Sequence, residues 1–321
     1  MVYQRNNGDS SKPANKGAGA IFPIYGISLD GLSHKLYKIR IGLFISGIAR
    51  QHVRDDKRDD FSWMGMNRRA FLLKSLGWAA AAACGSPLAE AMAMGQRPAP
   101  ARLAIIIDDI GSSRRRASLF MAIQARLTYA VLPHLPYSAD LAAALHARGH
   151  EILLHQPMEP YDRRLDPGPG ALFVGDPPAR IAQVVHANVQ AVPHAAGVNN
   201  HMGSRFTSDG AHIRCALRAI QDHRLFFVDS LTTCHSKAYR TACGMQMTSG
   251  RRNVFLDTDR RPQAILNALY GVMHHALMRG EAIAIGHPYP ETAAALALFH
   301  SEIQGTPIRI VPVSHLLAAR S

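Results

Sequence analysis

Asp108 and Asp109 stand side by side directly after the apolar run 105–107. Further along the chain His155, the segment Asn199-Asn200-His201, the pair Asp229-Ser230, then Asp257 and His287 each follow a similar run. Carboxylates and imidazoles are the side chains that hold divalent metals and move protons near neutral pH. Two carboxylates in succession repel one another, so one resists ionisation unless a cation lies nearby. A divalent metal bound by one Asp and two His removes that conflict. The bound Asp stays ionised, the other is free to act as a base, and the ion activates water for hydrolysis. Successive side chains on an extended chain point to opposite sides, so aiming both carboxylates at one site needs a turn, which Gly111 can supply. The bland alternative is that one Asp caps the helix expected over 112–126.

The other candidates carry alternatives of their own. A lone His155 reads as a hydrogen-bonded core residue, but Glu159 four positions on supplies a second ligand or proton carrier, and Pro157 fixes the turn between them. His201 lies in Asn199-Asn200-His201-Met202-Gly203-Ser204-Arg205, a polar, glycine-containing segment with no evident core role besides a structural turn. His287, between Gly286 and Pro288, has a rigid placement suited to a general acid. The remaining histidines beyond residue 102 fall on expected helices or loops and read as surface or satisfied groups.

These residues need elements to present them. Apolar runs at 103–107, 128–132, 151–154, 195–198, 225–228, 253–256, 282–285 and 308–311 read as strands; 112–126, 137–148, 178–193, 210–223, 261–279 and 291–303 read as helices. Alternation of this kind implies a parallel α/β sheet, open or closed to a barrel, with its chemistry at the C-terminal ends of the strands. The polar residues named above fall at those ends, so they are expected to converge on one rim.

Upstream, residues 67–93 read NRRAFLLKSLGWAAAAACGSPLAEAMA: an Arg pair, an apolar Ala-rich run, and Ala-x-Ala sites at Ala89-Glu90-Ala91 and Ala91-Met92-Ala93. This order resembles a twin-arginine (Tat) export signal over 64–93, followed by a Pro-rich linker over 94–101. It implies a start at Met64 or Met66, an upstream, disordered extension over 1–63, export through the Tat machinery, and a periplasmic or secreted catalytic domain over 102–321. Lipoprotein anchoring at Cys84 is a minor alternative. The apolar run is too short and too broken for a stable transmembrane segment. Cys215, Cys234 and Cys243 remain, with a Cys234–Cys243 bridge open and no Cys-x-x-Cys spacing for a zinc knuckle.

Composition narrows the partners. A chain of 321 residues with 47% hydrophobic and 18% charged residues buries a core, which excludes a disordered or tail-like protein. Of the net charge of +13, residues 1–93 carry +6 and the rest +7, with Lys237 the single lysine of that rest. No basic block with interleaved aromatics occurs, so no nucleic-acid partner is expected. The Arg-rich remainder suits an acidic envelope polymer.

The order of motifs resembles a known family. Ile105-Ile106-Ile107-Asp108-Asp109-Ile110-Gly111 is similar to the first motif of NodB-like polysaccharide deacetylases. The stretch from Gly149 to His155 resembles the strand leading into their His-x-x-x-His metal motif. His155-Gln156-Pro157-Met158-Glu159-Pro160, Gly197-Val198-Asn199-Asn200-His201-Met202-Gly203-Ser204, Phe227-Val228-Asp229-Ser230 and Ile285-Gly286-His287-Pro288 are closer to the divergent polysaccharide deacetylase family, an exported branch of that superfamily. The resemblance covers about 102–318. It implies a distorted (β/α) barrel of the NodB-like type and a metal-dependent hydrolase that removes N-acetyl groups from a polysaccharide or peptidoglycan sugar. Asp108 would then be the general base, Asp109 and His155 metal ligands, and His287 the acid. Glu159 stands where the family's second metal His is found. The missing ligand is then Glu159 or His201, and the preference of zinc for neutral imidazole favours His201. Asn200, Glu159, Arg205 and Asp229 would orient the site or contact substrate. Two other readings use the same fold: a non-catalytic envelope protein that binds sugar or peptidoglycan, favoured by Glu159 at a ligand position, and a metal-dependent hydrolase of other amides or esters.

Overall fold

The structure is a computed structural model that describes residues 100–317. The expected extension over 1–63, the signal over 64–93 with Cys84, and the linker up to residue 99 lie outside the described residues. In chain order the strands are β1 (Ala101–Ile110), β2 (Thr128–Val131), β3 (Glu151–Met158), β4 (Ala195–Met202), β5 (Phe226–Asp229), β6 (Ser249–Arg251), β7 (Val254–Phe255), β8 (Glu281–Gly286) and β9 (Ile308–Ile310). The helices are α1 (Arg114–Met121), α2 (Ser138–His146), α3 (Pro178–Ala191), α4 (Gly210–Asp222), α5 (Ala238–Gly244), α6 (Pro262–Arg279), α7 (Pro290–Glu302) and α8 (Ser314–Leu317).

All strand pairs are parallel, and the sheet runs β6-β5-β4-β3-β2-β1-β8-β7, with β9 joining beside β1. Its two end strands are neighbours in sequence, separated only by Arg252 and Asn253. Laid flat, they would lie roughly 34 Å apart at the usual strand spacing. The linking backbone spans at most about 11 Å. The sheet therefore curls until its edges approach, and the backbone crosses the seam: Arg252 N donates to Asp229 O at 3.0 Å, and Asn253 N donates to Ile283 O at 2.8 Å. No ladder joins β6 to β7, so the product is a distorted (β/α) barrel with one unzipped seam.

Two apolar layers hold it. Leu103, Ile105 and Ile107 of β1 pack with the outer helices, through residues such as Phe120, Leu145, Leu269 and Phe299. Ala104 and Ile106 face the other way, into a barrel interior shared with Ala130, Leu153, Phe226, Val228, Ile283 and Ile285 and plugged by Val313, Leu316 and Leu317. This is the period-two alternation of a strand buried on both faces. It assigns a direction to every polar residue beyond the apolar runs.

The sequence reading lacks three short elements. β6 reads Ser249-Gly250-Arg251 and has no apolar run; its strand character comes from pairing with Phe227, Val228 and Asp229 of β5. α5 and α8 are single- or two-turn helices whose short lengths leave no periodicity to detect. Cys215, Cys234 and Cys243 are free thiols, so the open Cys234–Cys243 bridge is not formed. Among the described residues no helix is long and apolar enough to cross a membrane.

Gly197 of β4 sits opposite Phe226 of β5, and a Cβ there would come within 2.3 Å of the Phe226 ring. Gly197→Ala is expected to destabilise the domain by about 1–3 kcal/mol through overpacking, seen as a lower urea midpoint with unchanged slope.

Candidate active site

Alternation carries the interior face of each strand up to its polar end. On β1 the series Ala104, Ile106 continues to Asp108; on β3 Leu153 continues to His155; on β8 Ile283 and Ile285 continue to His287. On β4 the register pairs His155 with Asn199 and Pro157 with His201, which sets both β4 residues on the same face. Beyond β5, Phe226 and Val228 lead to Ser230. Asp108, His155, Asn199 and Ser230 are buried as a result, and His155, His201 and His287 share one rim.

Asp109 has the wrong parity for that face. It reaches the site because its own backbone turns, with φ +57°, at a break in the β1–β2 register between Ile107 and Ile110. A non-glycine residue in the left-handed region costs roughly 1–3 kcal/mol and persists only where its surroundings enforce it. The turn expected at Gly111 thus begins two residues earlier. Neither Asp caps the next helix: Ser113 does, its Oγ accepting from Arg116 N at 3.3 Å.

Three ligand-type atoms now meet. Asp109 Oδ1 lies 3.2 Å from His155 Nε2 and 3.0 Å from His201 Nδ1, and the two imidazole nitrogens are 3.2 Å apart. Asp109, His155 and His201 form a cluster able to hold a metal ion. Asp109 Oδ1 is buried with no hydrogen-bond donor placed on it. Ligands about 2.0–2.2 Å from one ion stand roughly 3.0–3.4 Å from each other, so the spacing, the orphaned oxygen and the Asp/His₂ donor set all fit a divalent transition metal.

Asn199 organises the group from below. Its Nδ2 donates to Asp108 Oδ1 at 2.8 Å and more weakly to Ser230 Oγ at 3.3 Å, which leaves its Oδ1 to accept from His155 Nδ1 at 2.9 Å. A proton held on Nδ1 directs the Nε2 lone pair at the Asp109 oxygen and His201, the usual way a neighbour orients a metal-binding imidazole.

The two carboxylates are driven apart. Burial pushes Asp108 above the ordinary carboxylate range, and the charges of His155 and His287 only partly offset it. Burial also opposes ionisation of Asp109, but His155 and His201 against its oxygen outweigh that and hold it well below the usual range. One carboxyl is thereby suited to accept a proton and its neighbour to remain an anion. Burial likewise disfavours a charged His155, and the adjoining Asp108 and Asp109 overcome it and raise its pKa. A proton on His155 and a cation at the cluster are alternative ways to neutralise the same carboxylates.

Across the mouth, His287 is clamped by Asp257. Asp257 Oδ1 accepts from His287 Nδ1 at 2.8 Å, while Oδ2 accepts from His287 N at 2.6 Å and from Thr292 Oγ1 at 2.8 Å. Gly286 permits the approach, since a Cβ there would meet Thr292 at 3.1 Å and Asp257 Oδ2 at 3.4 Å. His287 is flanked by the rings of Phe255 and Tyr289, with centroids 5.9 and 5.8 Å away. Burial would lower its pKa, but Asp257, then Asp108 and Asp109, raise it to about 9.

Other residues singled out in the sequence face elsewhere. Glu159 is occupied: its Oε1 pairs with Arg205 at 2.5 Å and its Oε2 accepts from Val174 N at 2.8 Å. Glu159 and Arg205 therefore tie the loop after β3 to the loop after β4. Asn200 and Asp229 have outward parity. Asn200 braces Ser230 N and Met202 O, and Asp229 accepts from Leu231 N, Ser236 Oγ and Tyr239 N at the start of α5. Asn199, Ser230 and Asp257 stand at strand ends in the sequence, but neither their types nor their spacing marks the hydrogen bonds they make. Arg252, which donates to the carbonyls of Ser230 and Leu231 at 2.6 and 2.8 Å, gave no signal at all.

The model of the divergent polysaccharide deacetylases matches residues 105–317. The chain belongs to the divergent polysaccharide deacetylase family. Within it, the matched region begins at β1 and ends at α8, so it takes in every residue of the rim. The chain is 34% identical over 196 residues to the uncharacterized protein YibQ of Escherichia coli K12, a match covering 61% of each chain. It is 33% identical over 198 residues to an uncharacterized protein of Haemophilus influenzae, covering 62% of this chain and 70% of that one. It thus spans about three fifths of the length of the first of these relatives. Among solved structures, an uncharacterized protein of Agrobacterium tumefaciens C58 superposes with a TM-score of 0.66 at 26% identity, covering 69% of this chain and 91% of that one.

Removing the Asp257 carboxylate removes the strongest support for a charged imidazole at His287. Asp257→Asn is expected to lower the His287 pKa from its elevated value toward or below the ordinary histidine range, read directly by NMR titration of the ring protons.

Proposed function

We propose that this protein is an exported, metal-dependent deacetylase that removes N-acetyl groups from a polysaccharide or peptidoglycan-type sugar. The observation that carries the reading is the convergence of Asp109 Oδ1, His155 Nε2 and His201 Nδ1 on one point beside Asp108, with the Asp109 oxygen lacking any other partner. Membership of the deacetylase family supplies the reaction class. The Arg-Arg-x-Phe signal over 64–93 supports export through the Tat machinery.

In this reading Asp109, His155 and His201 hold a divalent ion, with zinc favoured by the two imidazoles. Bound there, the ion supplies Lewis-acid chemistry for amide hydrolysis. Asp108, ionised but reluctantly so, takes the proton from the attacking water. Asn199 keeps the Asp108 carboxylate and the His155 ring in fixed relation while that proton moves. His287, held protonated by Asp257, gives its proton to the amine nitrogen as the C–N bond breaks, so water is divided between acetate and the free amine. Phe255 and Tyr289 limit water around the acid. Glu159 serves as a loop brace, which weakens the competing reading of a non-catalytic sugar-binding protein, because that reading rests on Glu159 replacing a ligand.

Metal analysis of the purified domain tests the ligand set. One divalent ion per chain is expected in the parent and in Glu159→Ala, and less than stoichiometric metal in Asp109→Ala, His155→Ala and His201→Ala. Retention in His201→Ala with loss in Glu159→Ala would reverse the assignment. Acetate release from N-acetylated chito-oligosaccharides or peptidoglycan fragments tests the activity. Asp108→Asn is expected to keep its metal and lose about 10²–10⁴-fold in kcat, the usual share of a proton-transferring group.

The pH profile tests the acid. With its pKa raised to about 9, His287 stays protonated through neutral pH and loses the proton as pH rises through that value. An alkaline limb of kcat/KM is therefore expected, displaced to lower pH in Asp257→Asn. An unshifted limb in that variant would remove His287 from the role of acid.

A further inference from the structure

Strands β7 and β8 are paired, so the loop 256–261 after β7 lies alongside the loop 287–289 after β8. Asp257 of the first loop clamps His287 of the second. Three residues beyond Asp257 the first loop crosses over again: the Arg260 guanidinium rests on the Tyr289 ring, 3.8 Å from its centroid, and Tyr289 is itself the ring next to His287. An arginine lying over an aromatic face keeps its N–H edge available for a planar anion.

Two comparisons indicate that this edge is free for a ligand. Arg252, stacked on Phe255 at 3.7 Å, spends its Nε and Nη2 on the carbonyls of Ser230 and Leu231. Arg260 is exposed and has no ion pair with a carboxylate among the described residues. The neighbouring Asp259, which could have neutralised it, is committed to Arg261 through contacts of 2.5–3.0 Å. The loop therefore pairs one arginine internally and leaves the other charged on the Tyr289 ring, one ring removed from the proton donor.

We infer that Arg260, seated on Tyr289, is a specificity-determining residue that binds a carboxylate on the sugar bearing the scissile acetamide or on the adjoining sugar, so that the preferred substrate is an acidic N-acetylated polysaccharide. The inference rests on the deacetylase reading and deepens it. A carboxylate fits better than a phosphate because a single guanidinium matches one negative charge and would be outweighed by two. The bidentate geometry of arginine on a carboxylate also makes the site selective for a planar anion.

The test uses one oligosaccharide in two forms: N-acetylated with a carboxylate on its sugars, and the same oligosaccharide with each carboxylate converted to its methyl amide. The full chain is expected to favour the acid in kcat/KM by about two- to fivefold, the range of an exposed ion pair. In Arg260→Ala the ratio is expected to fall to about one, and in Arg260→Lys to an intermediate value. Arg218→Ala, an exposed arginine of α4, controls for net charge and is expected to keep the ratio. A ratio unchanged in Arg260→Ala, or lost equally in Arg218→Ala, overturns the inference. If the parent releases acetate from neither form, the deacetylase reading fails, and calorimetric binding of the two forms decides the subsite by itself. Preference for the acid that disappears in Arg260→Ala sustains it, and equal binding of both forms rejects it.

Discussion

Two carboxylates and two imidazoles are packed at the mouth of a barrel, where Asp108 and His155 are almost wholly removed from water. Isolated charges at such depth are strongly disfavoured, so these groups persist there only by neutralising one another or a shared cation. The rest of the rim follows from that constraint. Asn199 spends every polar atom of its side chain in holding Asp108, Ser230 and His155 in register. Asp109 accepts a left-handed backbone to bring its oxygen to the imidazoles. The same electrostatics that would expel one of these groups alone raises the Asp108 carboxyl above the ordinary range and lowers that of Asp109 below it.

The barrel meets this constraint by simple means. Parallel strands buried on both faces present alternate residues inward, and the register of each pair sets how far up the mouth each inward residue sits. Polar groups that stand outside the cluster are turned into braces. Glu159 with Arg205 joins two loops, Asp229 anchors the start of α5, and Asn200 ties β4 to the turn after β5. The division explains how a rim with many polar residues forms a site from only a few of them.

Much of this was legible in the chain. The apolar runs and their polar ends predicted the parallel α/β architecture, and the position of Asp108, His155, His201 and His287 at strand ends predicted a common rim. Parity along the same runs carried further information: counting by twos from Ile106, Leu153, Val228 and Ile285 separates inward Asp108, His155, Ser230 and His287 from outward residues such as Gln156 and Asp229. Asp109 defeats that count, because its direction depends on a local backbone turn that no residue type announces. β6 was illegible for a different reason, since three residues reading Ser-Gly-Arg become a strand only when β5 offers them a ladder.

Hydrophobic periodicity and the types of residue at the strand ends, both local properties, determined by themselves the parallel α/β class and the set of Asp and His side chains offered at the rim. Which acid joins the two imidazoles, and which is diverted to an arginine, was decided only in three dimensions. Glu159 and His201 both carry ligand-type side chains, and the preference of zinc for neutral imidazole favours His201 without placing either. The curl of the sheet and the β3–β4 register set His201 against Asp109 and leave Glu159 to meet Arg205, because a ligand is defined by where its lone pair points, and that direction belongs to the assembled barrel.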